Sequence, residues 1–573
     1  MANTVMGMDM DMVTVMATVM DMVTMRSNST KQSTRKMKLR AQIYFVTTIL
    51  LFIAGQNLRA QVYNSWNNHA LNPLERVLDM PGQNLHSSVG PVRLDEMAKY
   101  HNVDSLIRRG LKKPSHHQNI FGRFLSDDLL SWDEDDVWIR INPLFNFEIG
   151  KDNAAGENWF VNSRGAMIEG QLGKNVGFYV DLYENQATFP AYIDQFANDR
   201  EVVPGQGKRK DFGDDGHDFA QSTGYISYNA GRYFNFQAGF GKHFIGDGHR
   251  SLFLSDAAYS YPYLKMTATF LKAKYMVMVS ELKHFYRDAT LGDTRYRSKY
   301  GAFHYLNWNI GNRWSVGLFE SVVWAAKDTV GHRGLDPNYL VPLAVYRPME
   351  YNLGSPDNMT MGINLKYIPW KNAALYGQFV LGEFKADEVF SGNKWWANKQ
   401  GFLLGLKSYD FLGIKNLDFQ TEYSQVRPYT YSHYQPITNY GHYNQELAHV
   451  LGANFRESIT FLRYRINRWH FELKNQIATK GLDYDDEVSY GGNIHRPNVT
   501  RPAEYGHTIG QGLKSDLTQT EFNVMFLINP RNNMNLQMGI RKRKMTNELE
   551  TSDGTYFYMA FRTSLRNIYY DYF

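Results

Sequence analysis

The sequence predicts an all-β protein, a transmembrane antiparallel β-barrel of about 18 strands with a small N-terminal helical unit and infolded loops. The first observation is a repeated alternation of apolar and polar side chains, as in the runs 176–183 and 469–477. Because successive side chains of a strand point to opposite faces, each run has one apolar and one polar face. The second observation is that short turns, such as Gly311-Asn312, alternate with long polar stretches such as 428–457 and 480–516. Short turns at one end and long loops at the other are typical of membrane barrels.

A soluble β-sandwich would show the same alternation, because its apolar faces meet in a core. The barrel is favoured by charge pairs on the polar faces, such as Glu472 and Lys474, which suit a wet or plugged lumen. Aromatic residues also recur near the expected strand ends, where membrane barrels carry aromatic girdles, as at Trp395-Trp396 and Tyr569-Tyr570. The chain ends in IYYDYF, and a terminal Phe573 on an aromatic strand resembles the insertion signal of outer-membrane barrels. Roughly 440 residues, at about 24 per strand with its connection, predict around 18 strands.

Composition excludes several other classes of protein. The 573 residues are 43% hydrophobic and 15% aromatic, with a net charge of +5, and the mean hydropathy is -0.47. A polytopic helical membrane protein needs apolar runs of about 20 residues, which this composition disfavours. The charge is modest and forms no concentrated basic stripe, so no nucleic-acid partner is expected. The chain has no cysteine, which excludes disulfides, thiolate metal sites and cysteine catalysis.

The amino-terminal region predicts export. Residues 1–36 form a low-complexity extension rich in Met, Asp, Val and Thr, which we interpret as an over-extended start with Met37 as the better initiator. Residues 37–60 read as a signal peptide, because a basic stretch precedes the apolar run 43–55 and Ala60 offers a small residue before the cleavage point. A buried helix is the alternative. Export and the predicted barrel together indicate the cell outer membrane, with its lipid as one partner.

Residues 61–130 predict a helical periplasmic unit, whereas the strand-rich region 131–573 predicts the barrel. In RLDEMAKYHNVDSLIRRGL the apolar positions Leu94 and Met97 have helix-compatible spacing. Proline is poorly tolerated inside a helix, so the prolines of this stretch should divide it into short helices. These prolines are Pro73, Pro81, Pro91 and Pro114.

Two irregular segments predict polar features inside the barrel. Residues 240–265 carry glycines and charges, but lack the G-x-x-x-x-G-K-[ST] pattern of a phosphate loop. A hydrolase site with His243, Ser251 and Asp256 is a lesser alternative; no catalytic residue is assigned. An infolded loop that lines the lumen is the leading interpretation of 240–265. In 335–358, whose prolines exclude a central strand, the polar residues are predicted to pair with one another inside the barrel, with hydrogen bonds to sugar hydroxyls as the alternative. The predicted lumen or plug residues are Lys242, His243, Asp247, His249, Arg250, Asp256, Arg347, Glu350 and Asn358.

A third irregular segment, 440–457, predicts a polysaccharide-binding site. Sugar sites combine aromatic faces with a few oriented polar groups, and this segment mixes both. The candidate residues are Tyr440, His442, Tyr443, Asn444, Gln445, His449 and Asn454. Metal ligands are not predicted, because no His-x-x-x-His pair with a carboxylate is evident. No cofactor is expected, although the acidic runs 214–218 and 483–487 leave calcium as a minor alternative.

The same segments resemble a known family. GKHFIGDGHRSLFLSDAAYSYPYLK at 241–265, EGQLGKNVGFYVDLYENQATFPAY at 169–192 and INPLFNFEIGKD at 141–152 are similar to the capsule-assembly Wzi family of outer-membrane proteins. With HYNQELAHVLGANFRE at 442–457, the chain looks most like the branch that includes the gliding-motility protein RemB. The resemblance extends from about residue 100 to the end. It implies an outer-membrane barrel of about 18 strands with a small periplasmic helical bundle.

The resemblance also implies a function. Better-known members of the family are lectins, not enzymes, and hold exported capsular polysaccharide at the cell surface. The first hypothesis is therefore a non-enzymatic, lectin-like barrel that binds surface or capsular polysaccharide and supports capsule assembly. The alternative is a structural component of the gliding-motility or surface-adhesin machinery, with machinery proteins as partners. A diffusion porin is a third, weaker hypothesis, because the infolded segments predict little conductance.

Overall fold

The computed structural model describes residues 63, 68–109, 111, 119–153, 156–287, 294–327, 331–342, 346–353 and 357–572. The low-complexity extension predicted at 1–36 and the signal peptide predicted at 37–60 lie outside these residues, as does Phe573.

Within the described residues, eighteen antiparallel strands close into one barrel, which confirms the predicted fold class. The first half of the wall consists of β1 (Val137–Asp152), β2 (Asn158–Leu172), β3 (Val176–Ala187), β4 (Gly216–Ala230), β5 (Phe234–Gly241), β6 (Tyr261–Phe270), β7 (Ala273–Arg287), β8 (Thr294–Ile310) and β9 (Trp314–Ala325). The second half consists of β10 (Asn358–Trp370), β11 (Ala373–Leu381), β12 (Gln400–Ser408), β13 (Leu417–Val426), β14 (Phe455–Ile466), β15 (Trp469–Leu482), β16 (Leu513–Asn529), β17 (Met534–Thr546) and β18 (Thr551–Thr563). Each strand pairs with the next, and β18 closes on β1 with Arg562 opposite Asn146.

The alternation in the sequence separates an apolar outside from a polar inside. In β3, Val180 and Leu182 are exposed on the outer surface, whereas Tyr179 and Asp181 are buried in the lumen. The other strands repeat this pattern, so the barrel presents a broad apolar belt. A soluble monomer rarely exposes such a surface, whereas the hydrocarbon of a membrane covers it.

The two ends of the barrel differ. At one end, here called the short-turn end, strands are joined by brief turns such as 271–272 and 311–313. Exposed tryptophans flank these turns, as expected for a girdle at the membrane surface: Trp308, Trp314, Trp370 and Trp469. At the opposite end, here called the long-loop end, the connections include 188–215, 326–357 and 483–512.

Short helices precede the barrel. They are α1 (Glu75–Leu78), α2 (Leu94–Ala98), α3 (Val103–Arg108) and α4 (Ile120–Ser126). The amide of Gly82 donates to the carbonyl of Asn312 at 3.0 Å, and Arg109 donates to Asn533 at 2.8 Å. Because Asn312 and Asn533 lie in short turns, the helical unit lies against the short-turn end.

Further short elements lie in the connections. The helices are α5 (Ala191–Arg200), α6 (Tyr346–Leu353) and α7 (Ala386–Phe390), with 3-10 turns at Pro337–Leu340, Phe411–Gly413, Pro436–Thr438 and Asn498–Thr500. Two-residue ladders join Val89–Gly90 to Phe244–Ile245, and Gly441–His442 to Gln445–Glu446. Leu130–Glu134 pairs with β1, and Lys210–Phe212 pairs with β4. None of the helices in the described part of the chain is long and apolar enough to cross a membrane.

The carboxyl terminus corrects one expectation. The last strand ends at Thr563, and residues 564–572 form no strand. Tyr569, Asp571 and Tyr572 are buried, and Asp571 pairs with Arg250 from the loop that follows β5. The prediction of a terminal aromatic strand, with Tyr569 in a girdle, is therefore wrong. The physical reason is the charge of Asp571, which is neutralised by cations inside the lumen.

A lysine on the outer wall tests the membrane belt. Leu264 lies on the outer face of β6 and is 66% exposed, whereas Leu271 lies in the following short turn and is 90% exposed. A lysine in mid-bilayer costs about 2–4 kcal/mol, but only about 0–1 kcal/mol near the interface. We expect Leu264→Lys to lower the free energy of unfolding in lipid vesicles by the larger amount and Leu271→Lys by the smaller. Equal losses at the two positions would contradict the assignment of β6 to the lipid belt.

Candidate functional site

The segment 242–260, between β5 and β6, folds into the lumen and approaches the opposite wall. The side-chain amide of Gln378 on β11 donates to the carbonyl of Ile245 at 3.0 Å and accepts from the amide of Leu252 at 2.8 Å. A Cβ atom placed on Gly246 would lie 2.7 Å from the side-chain nitrogen of Gln378. A Cβ atom placed on Gly248 would lie 2.7 Å from a carboxylate oxygen of Glu422. Any larger residue would collide there with Gln378 or Glu422. The glycines are therefore needed for close approach to the wall.

Arg250 lies at the centre of this inward loop. Its guanidinium donates to both oxygens of Glu457 on β14, at 2.8 and 3.0 Å, and to Asp571 at 2.8 Å. Burial lowers the pKa of Arg250, but Glu457 and Asp571 outweigh it and raise that pKa overall. Burial raises the pKa of Asp571, but Lys474 and Arg250 have the larger effect and lower that pKa overall. The cluster therefore holds its charges at neutral pH and joins the loop, the wall and the carboxyl-terminal tail.

The other predicted plug residues of this loop are also held by the protein. Asp247 accepts from Ser87 at 2.6 Å and from Asn364 at 2.9 Å. Lys242 donates to the carbonyls of Gly205, at 2.5 Å, and Asp256, at 3.1 Å.

Aromatic contacts hold the remaining members. The carboxylate of Asp256 accepts from Tyr569 at 2.7 Å. The ring of His243 contacts that of Tyr263, with centroids 4.3 Å apart, and the ring of His249 contacts that of Phe461, with centroids 4.7 Å apart. Burial lowers the pKa of both histidines well below the usual range, so both are neutral.

The hydrolase alternative finds no support in the contacts of Ser251. Its hydroxyl donates to the carbonyl of Ile245 at 2.5 Å, and Asp256 is held by Tyr569. The acidic runs are used locally as well: Asp483 pairs with Arg496 at 2.9 Å. Among the residues that the structure describes, no group of three or more His, Cys, Asp or Glu side chains is placed to hold a metal ion.

The residues predicted to bind polysaccharide lie inside the protein or against it. Tyr440, His442, Gln445, His449 and Asn454 are buried. Their polar atoms, and those of Asn444, form hydrogen bonds with other parts of the chain. Tyr440 donates to the carbonyl of Phe253 (2.7 Å), Asn444 donates to that of Arg200 (3.2 Å), and the ring of His442 is hydrogen-bonded to the amide of Lys283 (3.0 Å) and the carbonyl of Ser260 (3.1 Å). Gln445 accepts from the amide of Gly205 (2.6 Å) and donates to the carbonyl of Gln206 (3.0 Å), Asn454 accepts from the amide of Gly510 (2.7 Å) and donates to the carbonyl of Gln511 (2.9 Å), and His449 is hydrogen-bonded to Glu457 (3.0 Å). The ring of Tyr443 contacts Phe285 at 4.5 Å. Their contact with sugar stays a prediction, whereas these contacts fix the segment to the inward loop and neighbouring connections.

The second predicted plug segment lies at the long-loop end. Arg347 and Glu350 belong to α6, although the side chain of Glu350 lies outside the described part of the chain. The side chain of Asn358, the first residue of β10, donates to the carbonyls of Thr438, at 3.0 Å, and Tyr431, at 3.3 Å.

Arg347 and Asn358 line a cavity at this end, here called the long-loop cavity, with a volume of about 380 Å³. Its other lining residues include Asp357, Glu383, Lys399, Tyr431, His433 and Tyr434. Lys399 pairs with Glu383 at 2.6 Å, and Arg333 pairs with Asp357 at 2.7 Å. The Tyr434 ring is 45% exposed. The cavity thus combines an accessible aromatic face with fixed carboxylates and an amide.

The sequence interpretation missed two parts of this arrangement. It did not place residues 564–572 in the lumen, although a charged Asp571 inside IYYDYF was a signal against a lipid-facing strand. It also did not join 335–358 to Glu383 and Tyr434, because they lie in separate connections that only the closed barrel brings together.

Comparison with known proteins identifies the fold but no family. A search against protein-family models finds no match, and a search of curated proteins finds none either. The fold is similar to that of Wzi. Described as an outer-membrane protein involved in group 1 capsule assembly in Escherichia coli and a carbohydrate-binding β-barrel, Wzi aligns with 88% of this chain and 100% of its own, at 13% identity and a TM-score of 0.51. The resemblance predicted from the sequence is confirmed at the level of the fold.

Two other solved structures align less closely. The outer membrane protein OprD from Pseudomonas aeruginosa is 11% identical, with a TM-score of 0.40 over 74% of this chain and 93% of its own. Pseudomonas aeruginosa OpdK with vanillate is 8% identical, with a TM-score of 0.41 over 74% of this chain and 98% of its own. These scores are too low to support a conclusion about this chain.

Loss of Asp571 should release the tail. Asp571→Ala leaves Arg250 and Lys474 without their shared carboxylate, and breaking a buried ion pair costs about 3–5 kcal/mol. We expect a lower free energy of unfolding and a higher single-channel conductance in planar bilayers than for the wild type. A chain shortened to residue 566 should conduct at least as well.

The matched control is Asp553→Ala, which removes a half-exposed carboxylate paired with Lys542. An exposed pair contributes about 0–1 kcal/mol, so this variant should resemble the wild type. Unchanged conductance in both Asp571→Ala and the shortened chain would show that the tail does not seal the lumen.

The ammonium group of Lys242 predicts a pH dependence. Burial lowers its pKa to about 7, with a smaller opposing effect of Asp256, whereas an unfolded lysine titrates near 10.4. Between these values the unfolded chain binds more protons, so this group makes the free energy of unfolding rise with pH, up to about pH 10. Relative to Lys242→Met, the wild type should therefore gain stability from about pH 7 to 10. A difference in unfolding free energy that is constant over this range would contradict the prediction.

Proposed function

We propose that the protein resides in the outer membrane and binds surface polysaccharide at its long-loop end without altering the sugar chemically. The main observation in support is the long-loop cavity, which lies at the end of a barrel whose lumen is crossed by the inward loop and the carboxyl-terminal tail. Short turns of outer-membrane barrels face the periplasm, and the long loops face the outside. The cavity is therefore presented where a surface glycan lies.

The chemistry of the cavity suits a carbohydrate. Sugar rings present flat apolar faces and many hydroxyl groups, and binding sites answer with aromatic walls and a few oriented polar groups. Tyr434 supplies an exposed ring, and Glu383, Asp357 and Asn358 supply oxygen and amide groups. The ion pairs with Lys399 and Arg333 hold the two carboxylates in place before any ligand arrives.

The segment 440–457 packs against a lining residue of this cavity. The ring of Tyr440 stacks on that of Tyr431, a lining residue, with centroids 5.6 Å apart. The amide of Tyr440 donates to the carbonyl of Tyr431 at 3.0 Å. In our proposal the polar residues predicted at 440–454 affect sugar binding indirectly, because they hold the wall of the long-loop cavity in place.

The fold similarity adds to the proposal, because Wzi is described as a carbohydrate-binding barrel involved in capsule assembly. A role in retaining capsular polysaccharide follows by analogy of fold. The segments that fold into the lumen weigh against a diffusion porin. Arg250, Asp571 and the buried apolar residues Leu252 and Phe253 occupy the space that a solute would cross.

The test is the retention of surface polysaccharide by cells. A deletion strain should shed polysaccharide into the medium, and wild-type protein should restore the cell-bound fraction. The double variant Tyr434→Ala with Glu383→Gln should restore it only in small part, because it removes the ring and the charge of the cavity.

The chain offers a matched control on the same end of the barrel. Tyr484 and Glu548 are also a tyrosine and a glutamate that are accessible to solvent, with 3.4 Å between the hydroxyl and a carboxylate oxygen. Tyr484→Ala with Glu548→Gln should restore retention fully. Normal retention in the deletion strain would reject the proposal, and lost surface spreading with normal retention would favour the gliding-machinery alternative.

A further inference from the structure

We propose that residues 119–136, here called the rim segment, form a membrane-surface anchor on the outside of the barrel. The segment contains α4 and the short strand Leu130–Glu134. In this proposal its apolar side chains enter the lipid leaflet at the short-turn end. Such an anchor acts independently of any ligand at the long-loop end.

Helix α4 lies on the outer wall. The ring of Phe124 stacks on that of Phe145, with centroids 6.3 Å apart. Phe145 in turn contacts Phe147 at 5.7 Å and Phe561 at 4.6 Å. Phe147 and Ile149 are exposed on the outer face of β1. The helix therefore packs against the apolar belt and not against the lumen.

Helix α4 also has one apolar face. At about 100° per residue, the apolar residues share one side of the helix: Ile120, Phe121, Phe124 and Leu125. The polar or small residues lie on the other side: Gly122, Arg123 and Ser126. Ile120 and Phe121 are 64% and 66% exposed on the same side as Phe124. Since Phe124 contacts the belt, the exposed part of this face continues the lipid-facing surface of the barrel.

The strand Leu130–Glu134 extends the wall itself. β18 pairs with β1 only over 146–152, and Leu130–Glu134 pairs with 137–141 on the β1 edge that is left. Trp132 is opposite Ile139, which is opposite Gly170 on β2, close to the turn at 173–175. Trp132 is 61% exposed. It therefore lies at the level of the other short-turn tryptophans, where indole rings favour the membrane interface.

Polar contacts fix the rim segment in this position. The side chain of Asn529, at the end of β16, donates to the carbonyls of Phe124 at 2.9 Å and Asp127 at 2.8 Å. Arg531 pairs with Asp104 of α3 at 2.9 Å and with Asp127 at 3.3 Å. The anchor is therefore tied both to the barrel rim and to the helical unit that lies against the short-turn end.

The surroundings identify lipid as the occupant. The apolar face of the rim segment is continuous with the belt of the barrel, and its acidic tip, Glu134-Asp135-Asp136, is exposed at the opposite end of the hairpin from Leu130. A segment that passes from apolar to charged along the direction of the barrel wall matches the passage from acyl chains to headgroups and water. Amphipathic segments of this kind lie in the interface plane.

The test uses the absence of cysteine from the chain, which makes single-site labelling clean. Phe121→Cys and Trp132→Cys, each carrying a nitroxide, are placed in the full chain in vesicles of phosphatidylethanolamine and phosphatidylglycerol. The measurement is the ratio of collision rates with oxygen, which concentrates in lipid, and with a water-soluble nickel chelate. Leu264→Cys on the outer wall is the lipid reference, and Asp136→Cys at the tip is the water reference.

We expect the ratio at both rim sites to be several-fold higher than at Asp136→Cys and to approach that at Leu264→Cys. Heat-dependent mobility in gels confirms for each variant that the barrel is closed. A ratio at Phe121→Cys equal to that at Asp136→Cys would overturn the proposal, because the face would then be in water. Low collision rates with both reagents would also overturn it, since protein would then cover the face.

Discussion

The ion-pair cluster around Arg250 is the interaction on which the interior of this barrel depends. One guanidinium joins the inward loop to Glu457 on the wall and to Asp571 on the tail. Removing three charges from water is costly, and hydrogen bonds to the charged groups offset that cost. Here Glu457 also binds His449 and Gln476, and Asp571 also binds Lys474. The cluster therefore fixes the inward loop and the carboxyl-terminal tail in one position relative to the wall.

The inward loop and the tail cross the interior of the barrel, and our functional proposals therefore concern the two ends of the molecule. At the short-turn end the helical unit contacts turn residues such as Asn312 and Asn533. At the long-loop end, separate connections meet around the long-loop cavity, with Tyr434 exposed at its edge. The stacked rings of Tyr440 and Tyr431, together with their backbone hydrogen bond, join the segment 440–457 to the wall of this cavity. The packing of the inward segments and the shape of the cavity are therefore linked.

Residue types that suggest a binding site in the sequence serve here as internal supports. His442, Gln445 and Asn454 have the polarity of a sugar site, yet their side chains bind backbone groups of other connections. A buried irregular loop leaves many amide and carbonyl groups without partners, and such groups must be satisfied. Side-chain amides and imidazoles satisfy many of them in the inward-folded segments, because the ladders there are only two residues long. A sequence alone does not distinguish this use from ligand binding.

The barrel could be predicted from the sequence, because the alternation that separates lipid from lumen is a local, two-residue property of each strand. The glycines and charges of 240–265 also indicated an inward fold, which the structure has over 242–260, whereas the flanking residues belong to the wall strands β5 and β6. Which distant groups meet depends on the closed barrel. Arg250 and Asp571 are 321 residues apart in the chain, and α4 lies against the outer wall through Phe124 and Phe145. Such contacts depend on the closure of the barrel, which no local pattern encodes.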